Sequence, residues 1–232
     1  MIHNDSNFKL NLTYNFKGTA SSAKNINCCP DQFVGGIVFN GAKFTNLNGK
    51  NVIDILCKSN KNSANKRVDV NYSSFSSNNS VVVLLMESPH ILEYLAAVPS
   101  PAWGRTGTMI NKHFLAAMNN SLKNIQPKLN CIRNQKFNLI LVNAIRYQCS
   151  LGISPLKTVT RNNVFKDLWD NRGFQCDLCD RLRIIKPSLI INAITSDLKS
   201  RCNLNKPPLN RYAVITLETN HPSKWDASTQ FN

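Results

Sequence analysis

The sequence is short of acid. It carries 13 Asp and Glu against 28 Lys and Arg, a formal net charge of +15. That imbalance concerns partners and solubility, not fold. A polyanion such as nucleic acid is the expected partner, because each phosphate contact releases counterions and adds salt-sensitive affinity. The competing reading is a solvated Lys/Asn-rich surface. Long apolar runs are also missing. No stretch reaches the roughly 20 residues a membrane helix needs. The start, Met1-Ile2-His3-Asn4-Asp5, lacks the basic n-region and apolar h-region of a secretory signal. A cytoplasmic protein with no membrane partner is the expectation. No internal repeat is present, so the chain is not a repeat array.

The eight cysteines are Cys28, Cys29, Cys57, Cys131, Cys149, Cys176, Cys179 and Cys202. Only Cys176 and Cys179 have metal-ligand spacing, and a second pair to complete a zinc site is absent. In a cytoplasmic chain reduced, buried thiols are expected.

What is present divides near residue 80. Residues 1–80 hold apolar islands such as Phe33-Val34-Gly35-Gly36-Ile37-Val38-Phe39. They read as strands or a small subdomain, ending in a Ser/Asn/Lys-rich linker over 58–80. From Val81 the pattern alternates. Short β-branched runs at 81–86, 138–142, 188–192 and 212–217 read as buried parallel strands. Helical stretches are expected from about 106, with Met109, Ile110, Phe114, Leu115 and Met118 on one face, and at 161–171 and 176–186, the last stopped by Pro187. Thr195 or Ser196 is placed to cap a short helix. Strands separated by helices predict an α/β fold, a three-layer α/β/α sandwich around a central four-stranded parallel sheet.

Three polar sites follow three of these runs: Glu87-Ser88-Pro89-His90, Asn143, and His221-Pro222-Ser223. Ligands of open α/β sheets bind beyond the carboxyl ends of the strands, so carboxylate, amide and imidazole should share one pocket. In this order the sites resemble the uracil-DNA glycosylase superfamily. Its first motif is Gly-Glu-Ala-Pro-Gly in the thermostable branch and Gly-Gln-Asp-Pro-Tyr-His in the classical branch. Its middle strand ends in Asn, and its last motif is His-Pro-Ser. Glu93 stands where the thermostable branch has a second acid. Pro101-Ala102-Trp103-Gly104-Arg105-Thr106-Gly107 resembles that branch's Pro-Phe-x-Gly-x-Ala-Gly. The stretch from Cys176 to Ala193 is similar to its Cys…Ile-x-Pro-x-Ile-Ile. The likeness runs from Val81 to Trp225 and makes residues 81–232 the catalytic domain.

The resemblance implies a monofunctional DNA glycosylase that flips out a pyrimidine nucleotide and hydrolyses its N-glycosidic bond. Glu87 would orient water and stabilise the oxocarbenium ion. A plain loop carboxylate there would instead cap a helix or pair with Arg105. His221 would donate to O2 of the departing base as a neutral imidazole. Asn143 would read the base edge, and its amide can pair with uracil or, rotated, with a cytosine-like face. His90 and Ser88 would line the base pocket. Ala102 stands where the family has its stacking Phe, with Trp103 next to it. The resemblance implies uracil as substrate, in repair, and these departures lean instead toward a 5-modified, phage-type hydroxymethylated or glucosylated cytosine, in antiviral defence. Arg105, Ser223, Lys224 and Arg146 would contact DNA, and Trp225 would either fill the gap left by the flipped base or pack on the core. Some thermostable-branch members hold an iron–sulfur cluster, for which Cys149 and Cys176 are the candidate ligands and Cys28-Cys29 an altered pair. Hydrolysis itself needs no cofactor, and a monomer is expected. The rival reading is a non-catalytic DNA-binding protein on the same fold.

Overall fold

The computed structural model describes residues 10–16, 19–26, 28–47, 67–94, 100–149, 158–203, 211 and 215–232. It is an α/β structure organised by one mixed sheet. Strand β6 (Ser80–Met86) is buried along nearly its whole length, which is why it reads as an unbroken apolar run rather than an alternating one. It pairs in parallel with β7 (Gln135–Asn143) on one side and with β8 (Leu189–Asn192) on the other. β8 in turn pairs in parallel with β9 (Ile215–Glu218).

The sheet does not stop at β7. β3 (Gln32–Phe39) runs antiparallel along it, with a register shift between Phe33 and Gly35. β3 also pairs with β4 (Phe44–Asn46) and β5 (Val68–Asp69), giving the order β4-β3-β7-β6-β8-β9 with β5 on β3. The expectation of a sheet of four parallel strands alone is therefore corrected. An N-terminal strand completes β7's hydrogen bonds, so residue 80 does not divide the sheet. Of the expected linker 58–80, residues 58–66 lie outside the described residues, while Tyr72 is buried. A separate hairpin joins β1 (Leu10–Phe16) to β2 (Thr19–Ile26).

Side chains of a strand alternate between faces, and here both faces are apolar. Val82, Leu84 and Met86 pack with Ile110, Phe114, Ala117 and Met118 of α1 (Arg105–Asn120) and Ile125 of α2 (Leu122–Leu129). Val81, Val83 and Leu85 pack with Val164, Phe165 and Leu168 of α3 (Thr158–Asn171) and Leu178 and Leu182 of α4 (Phe174–Ile185). A one-turn helix, α5 (Ser196–Lys199), follows β8. No helix among the described residues is long and apolar enough to cross a membrane.

Two features tie the ends of the chain to this body. Arg181 of α4 is fully buried and reaches across to the N-terminal segment. Its guanidinium meets Asp31 Oδ2 at 2.6 Å and Asp177 Oδ2 at 2.8 Å, and donates to the carbonyls of Asn143 (3.1 Å) and Ala144 (3.0 Å). Tyr72 donates to the same Asp31 carboxylate. At the other end, Asn232 and Glu218 exchange backbone hydrogen bonds of 2.6 and 2.9 Å along β9, and Phe231 N–H donates to Ser121 Oγ at 2.6 Å.

Candidate active site

The parallel register sets the strand ends in a row. Met86 stands opposite Asn143, Leu85 opposite Asn192, and Asn192 opposite Glu218. The chain leaving each strand is pinned to its neighbour. Ile145 N–H donates to Glu87 O at 3.1 Å, Ala193 N–H to Leu85 O at 2.8 Å, and Thr219 N–H to Asn192 O at 3.0 Å. Glu87, Asn143, Thr195 and His221 thus all lie just past the carboxyl ends of the parallel strands.

Glu87 is 4% exposed, and both of its carboxyl oxygens are engaged. Oε1 forms an ion pair with Arg161 Nε at 3.2 Å, and Oε2 accepts from Thr195 Oγ1 at 2.5 Å. Burial pushes its pKa up, while Arg161 and the Thr195 hydroxyl pull it back and Asp197 adds to the rise. The partner is therefore Arg161 of α3, not Arg105, which is exposed at the first residue of α1.

His221 opens a short 3-10 turn, Pro222–Lys224. Its Nδ1 lies 3.3 Å from the donating Ser223 N–H and 2.9 Å from Ser223 Oγ. A backbone N–H only donates, so Nδ1 is the bare nitrogen and the proton sits on Nε2. Burial lowers the pKa to about 4, helped by the charges of Arg161 and Lys224 and by His90. The imidazole is thus neutral at physiological pH and presents an N–H donor. His90 is exposed, and its pKa is lowered by partial burial and then by Arg161. Arg161 is the charge common to Glu87, His90 and His221.

Asn143 is 1% exposed. Its amide donates to Cys29 Sγ at 4.0 Å and also bonds the carboxyl of Glu93. Glu93 accepts Ala102 N–H at 3.0 Å and the Cys29 thiol at 4.0 Å. Complete burial raises its pKa to about 8, so Glu93 is mostly protonated at neutral pH. The edge expected to read a base is turned onto Glu93 and Cys29. Ala102 sits at φ 55°, an uncommon conformation for a non-glycine, and Trp103 beside it is half-buried. Ser88 is half-buried and bonds the Cys149 side chain.

Two of the expected DNA contacts are corrected. Arg146 is 4% exposed and paired with Asp177 at 3.0 Å, next to Arg181, so it does not face a groove. The buried Asp177 carboxylate holds the guanidinium in place. Trp225 is 3% exposed, its ring centroid 5.4 Å from that of Phe231 and 6.4 Å from that of Phe114, with Nε1 donating to Asn220 O at 2.9 Å. It is a core residue, not a wedge. Lys224 is exposed, and Ser223 is spent on His221. Cys149 is buried with its thiol toward Tyr147 O, and Cys176 is exposed. Among the described residues no three His, Cys, Asp or Glu side chains are grouped to hold a metal ion.

Sequence reasoning missed Arg161, and missed that Thr195 serves Glu87 rather than the helix it precedes, which has no side-chain cap. It also missed Cys29 as a neighbour of Asn143. None of the three lies in a motif, and Arg161 is one of 28 basic residues. The only signal was position, Thr195 lying just past the end of a strand. Compared with models of known protein families and with curated proteins, the chain matches none.

Proposed function

We propose that this protein is a monofunctional DNA glycosylase that extrudes a pyrimidine nucleotide, hydrolyses its N-glycosidic bond and leaves an abasic site. The observation that carries the reading is the Ser223 N–H directed at His221 Nδ1, which leaves Nε2 to carry the proton of a neutral ring. A neutral imidazole with its proton on Nε2 sits at the same end of the parallel strands as a buried carboxylate. That pairing suits a reaction in which a sugar becomes cationic as a base leaves as an anion. Glu87 stabilises the oxocarbenium ion and takes the proton of the attacking water. His221 Nε2–H hydrogen-bonds the oxygen on which negative charge grows, without the cost of burying a second full cation. Asn143 and Glu93 together offer donors and acceptors for the base edge once Asn143 exchanges its thiol contact for the base.

The helices on both faces of the parallel strands support a three-layer, uracil-DNA glycosylase-like arrangement. The net charge of +15 supports DNA as the partner. The exposed His90 at the pocket edge supports a base carrying a polar 5-substituent, with uracil as the simpler substrate. The test is abasic-site formation on DNAs carrying uracil, hypoxanthine, mismatched thymine, and hydroxymethylated or glucosylated cytosine. Glu87→Gln and His221→Ala are the controls. Cleavage of at least one pyrimidine DNA, abolished by Glu87→Gln, is expected. Tight DNA binding with no abasic site on any substrate would favour a non-catalytic DNA-binding protein instead.

A further inference from the structure

Glu87 is held at two points by side chains that no motif contains. Arg161 of α3 brings Nε to 3.2 Å from Oε1. The Nε–H is not aligned as a hydrogen bond there, so the contact is one of charge. On the other oxygen, Thr195 Oγ1 donates to Oε2 at 2.5 Å. Thr195 stands at the start of α5, and its carbonyl accepts the N–H groups of Leu198 and Lys199 at 3.0 and 3.1 Å. A threonine in that place ordinarily turns its hydroxyl back to a free N–H of its own helix. Here that cap is not made, and the hydroxyl goes to Glu87.

The two contacts belong to a closed ring. Arg161 Nη2 donates to Asn162 Oδ1 at 3.3 Å, and Asn162 Nδ2 donates to Asp197 Oδ2 at 3.4 Å. Asp197 lies in α5, just beyond Thr195. Glu87, Arg161, Asn162, Asp197 and Thr195 therefore tie the end of β6, α3 and the start of α5 together around one carboxylate. A carboxylate 4% exposed is costly unless its charge is matched and its oxygens are engaged. Arg161 supplies the matching charge and Asp197 works against it, while the nearby Cys149 and Cys202 thiols are pushed up by burial and stay neutral.

Resting on the glycosylase reading above, we propose that Arg161 and Thr195 are positioning residues that together clasp Glu87, fixing the plane and the ionised form of its carboxylate for the attacking water. A carboxylate free to rotate must be aimed anew in each turnover. One held from two different elements is aimed beforehand. The clasp does not use the group up. Each oxygen of an ionised carboxylate has two lone pairs, so one on each remains for water. The clasp also accounts for the missing cap on α5, since the hydroxyl that would make it serves the carboxylate instead.

The experiment has two readouts on wild type, Arg161→Met, Arg161→Lys and Thr195→Val. One is single-turnover cleavage against pH at saturating protein, on uracil DNA or 5-hydroxymethylcytosine DNA, whichever the wild type cleaves. The other is carboxyl-carbon NMR, with the Glu87 signal identified by Glu87→Gln, which follows its ionisation without turnover. Arg161→Met is expected to lose about 10- to 100-fold on the high-pH plateau, the scale of a misplaced catalytic group, with DNA affinity unchanged. Its acid limb and its Glu87 titration should both move to higher pH, because the matching charge is gone, and Arg161→Lys should bring both back. Thr195→Val should move both in the same direction. A Glu87 titration that stays in place in these variants would overturn the inference. So would a loss confined to DNA affinity, which assigns the guanidinium to a phosphate. Should Arg161→Met fail to fold, Thr195→Val carries the same test. A wild type silent on every base would sink the glycosylase reading instead, and the titration would still decide whether the clasp exists.

Discussion

Replacing Arg181 by Met should be among the most damaging single changes in the molecule. The guanidinium is fully buried and bonds two carboxylates and two backbone carbonyls. Removing one partner of a buried ion pair costs about 3–5 kcal/mol, because the remaining charge stays uncompensated. The Asn143 and Ala144 carbonyls add to this, at about 1–3 kcal/mol for each buried group left unsatisfied. Arg146 still faces Asp177, and Tyr72 still donates to Asp31, which limits the total. A loss of about 4–5 kcal/mol is expected, a large part of a typical domain's stability. For a chain of this size that lowers Tm by about 8–20 °C. Urea unfolding of wild type, Arg181→Met, Asp31→Asn and the double variant would measure it. The double variant should lose clearly less than the two single losses added together, since both remove the same contact. A change under about 1 kcal/mol for Arg181→Met, or strict additivity, would refute the reasoning.

Other outcomes follow from the same geometry. Trp225→Ala should destabilise the fold by about 3–5 kcal/mol, seen in thermal unfolding, while Lys224→Ala should leave stability unchanged and weaken DNA binding at low salt. Deleting residues 1–80 should give an insoluble or unfolded product, since it removes Asp31 and bares the β7 edge; a folded fragment by circular dichroism would refute this. Glu93→Gln should flatten the pH dependence of stability. A carboxyl held near 8 in the folded protein and near 4.5 when unfolded binds more protons folded, so wild-type stability falls as pH rises from 4.5 to 8, and the amide removes that slope. Thr195→Val should move the acid limb of the pH–rate profile to higher pH, because the hydroxyl lowers the Glu87 pKa and only the ionised carboxylate is active.

The parallel strands and their helices were legible because each is specified locally. An apolar run such as Val81 to Met86 can satisfy itself only inside a sheet covered on both faces, and the turns around it confine its length. The islands at Phe33 to Phe39 were also readable as a strand. What was not readable was its partner, since pairing with β7 joins residues about a hundred positions apart and leaves no periodic trace in either. The same holds within the site. That Glu87, Asn143 and His221 gather at one end of the parallel strands was legible because strand ends are marked by the runs before them. Arg161 and Cys29 come from elements whose approach depends on the whole fold. Arg146 and Trp225 were misread for one reason: residue type and a place beside a motif do not reveal burial. A cationic or aromatic side chain next to a pocket is as readily held by neighbours beneath it.

The backbone exchange between Asn232 and Glu218 has a consequence for how copies of this protein meet one another. Among the described residues β9 is the last strand on its side of the sheet, and an uncovered margin there would offer N–H and C=O groups to any passing strand. The C-terminal residues lie across that margin, and the Asn120 side chain donates to the carbonyls of Ala227 and Thr229, holding the same segment against α1. A protein of this charge would find solubility in water easy while folded, yet a clipped tail would open a sticky seam that repulsion between copies alone must then guard.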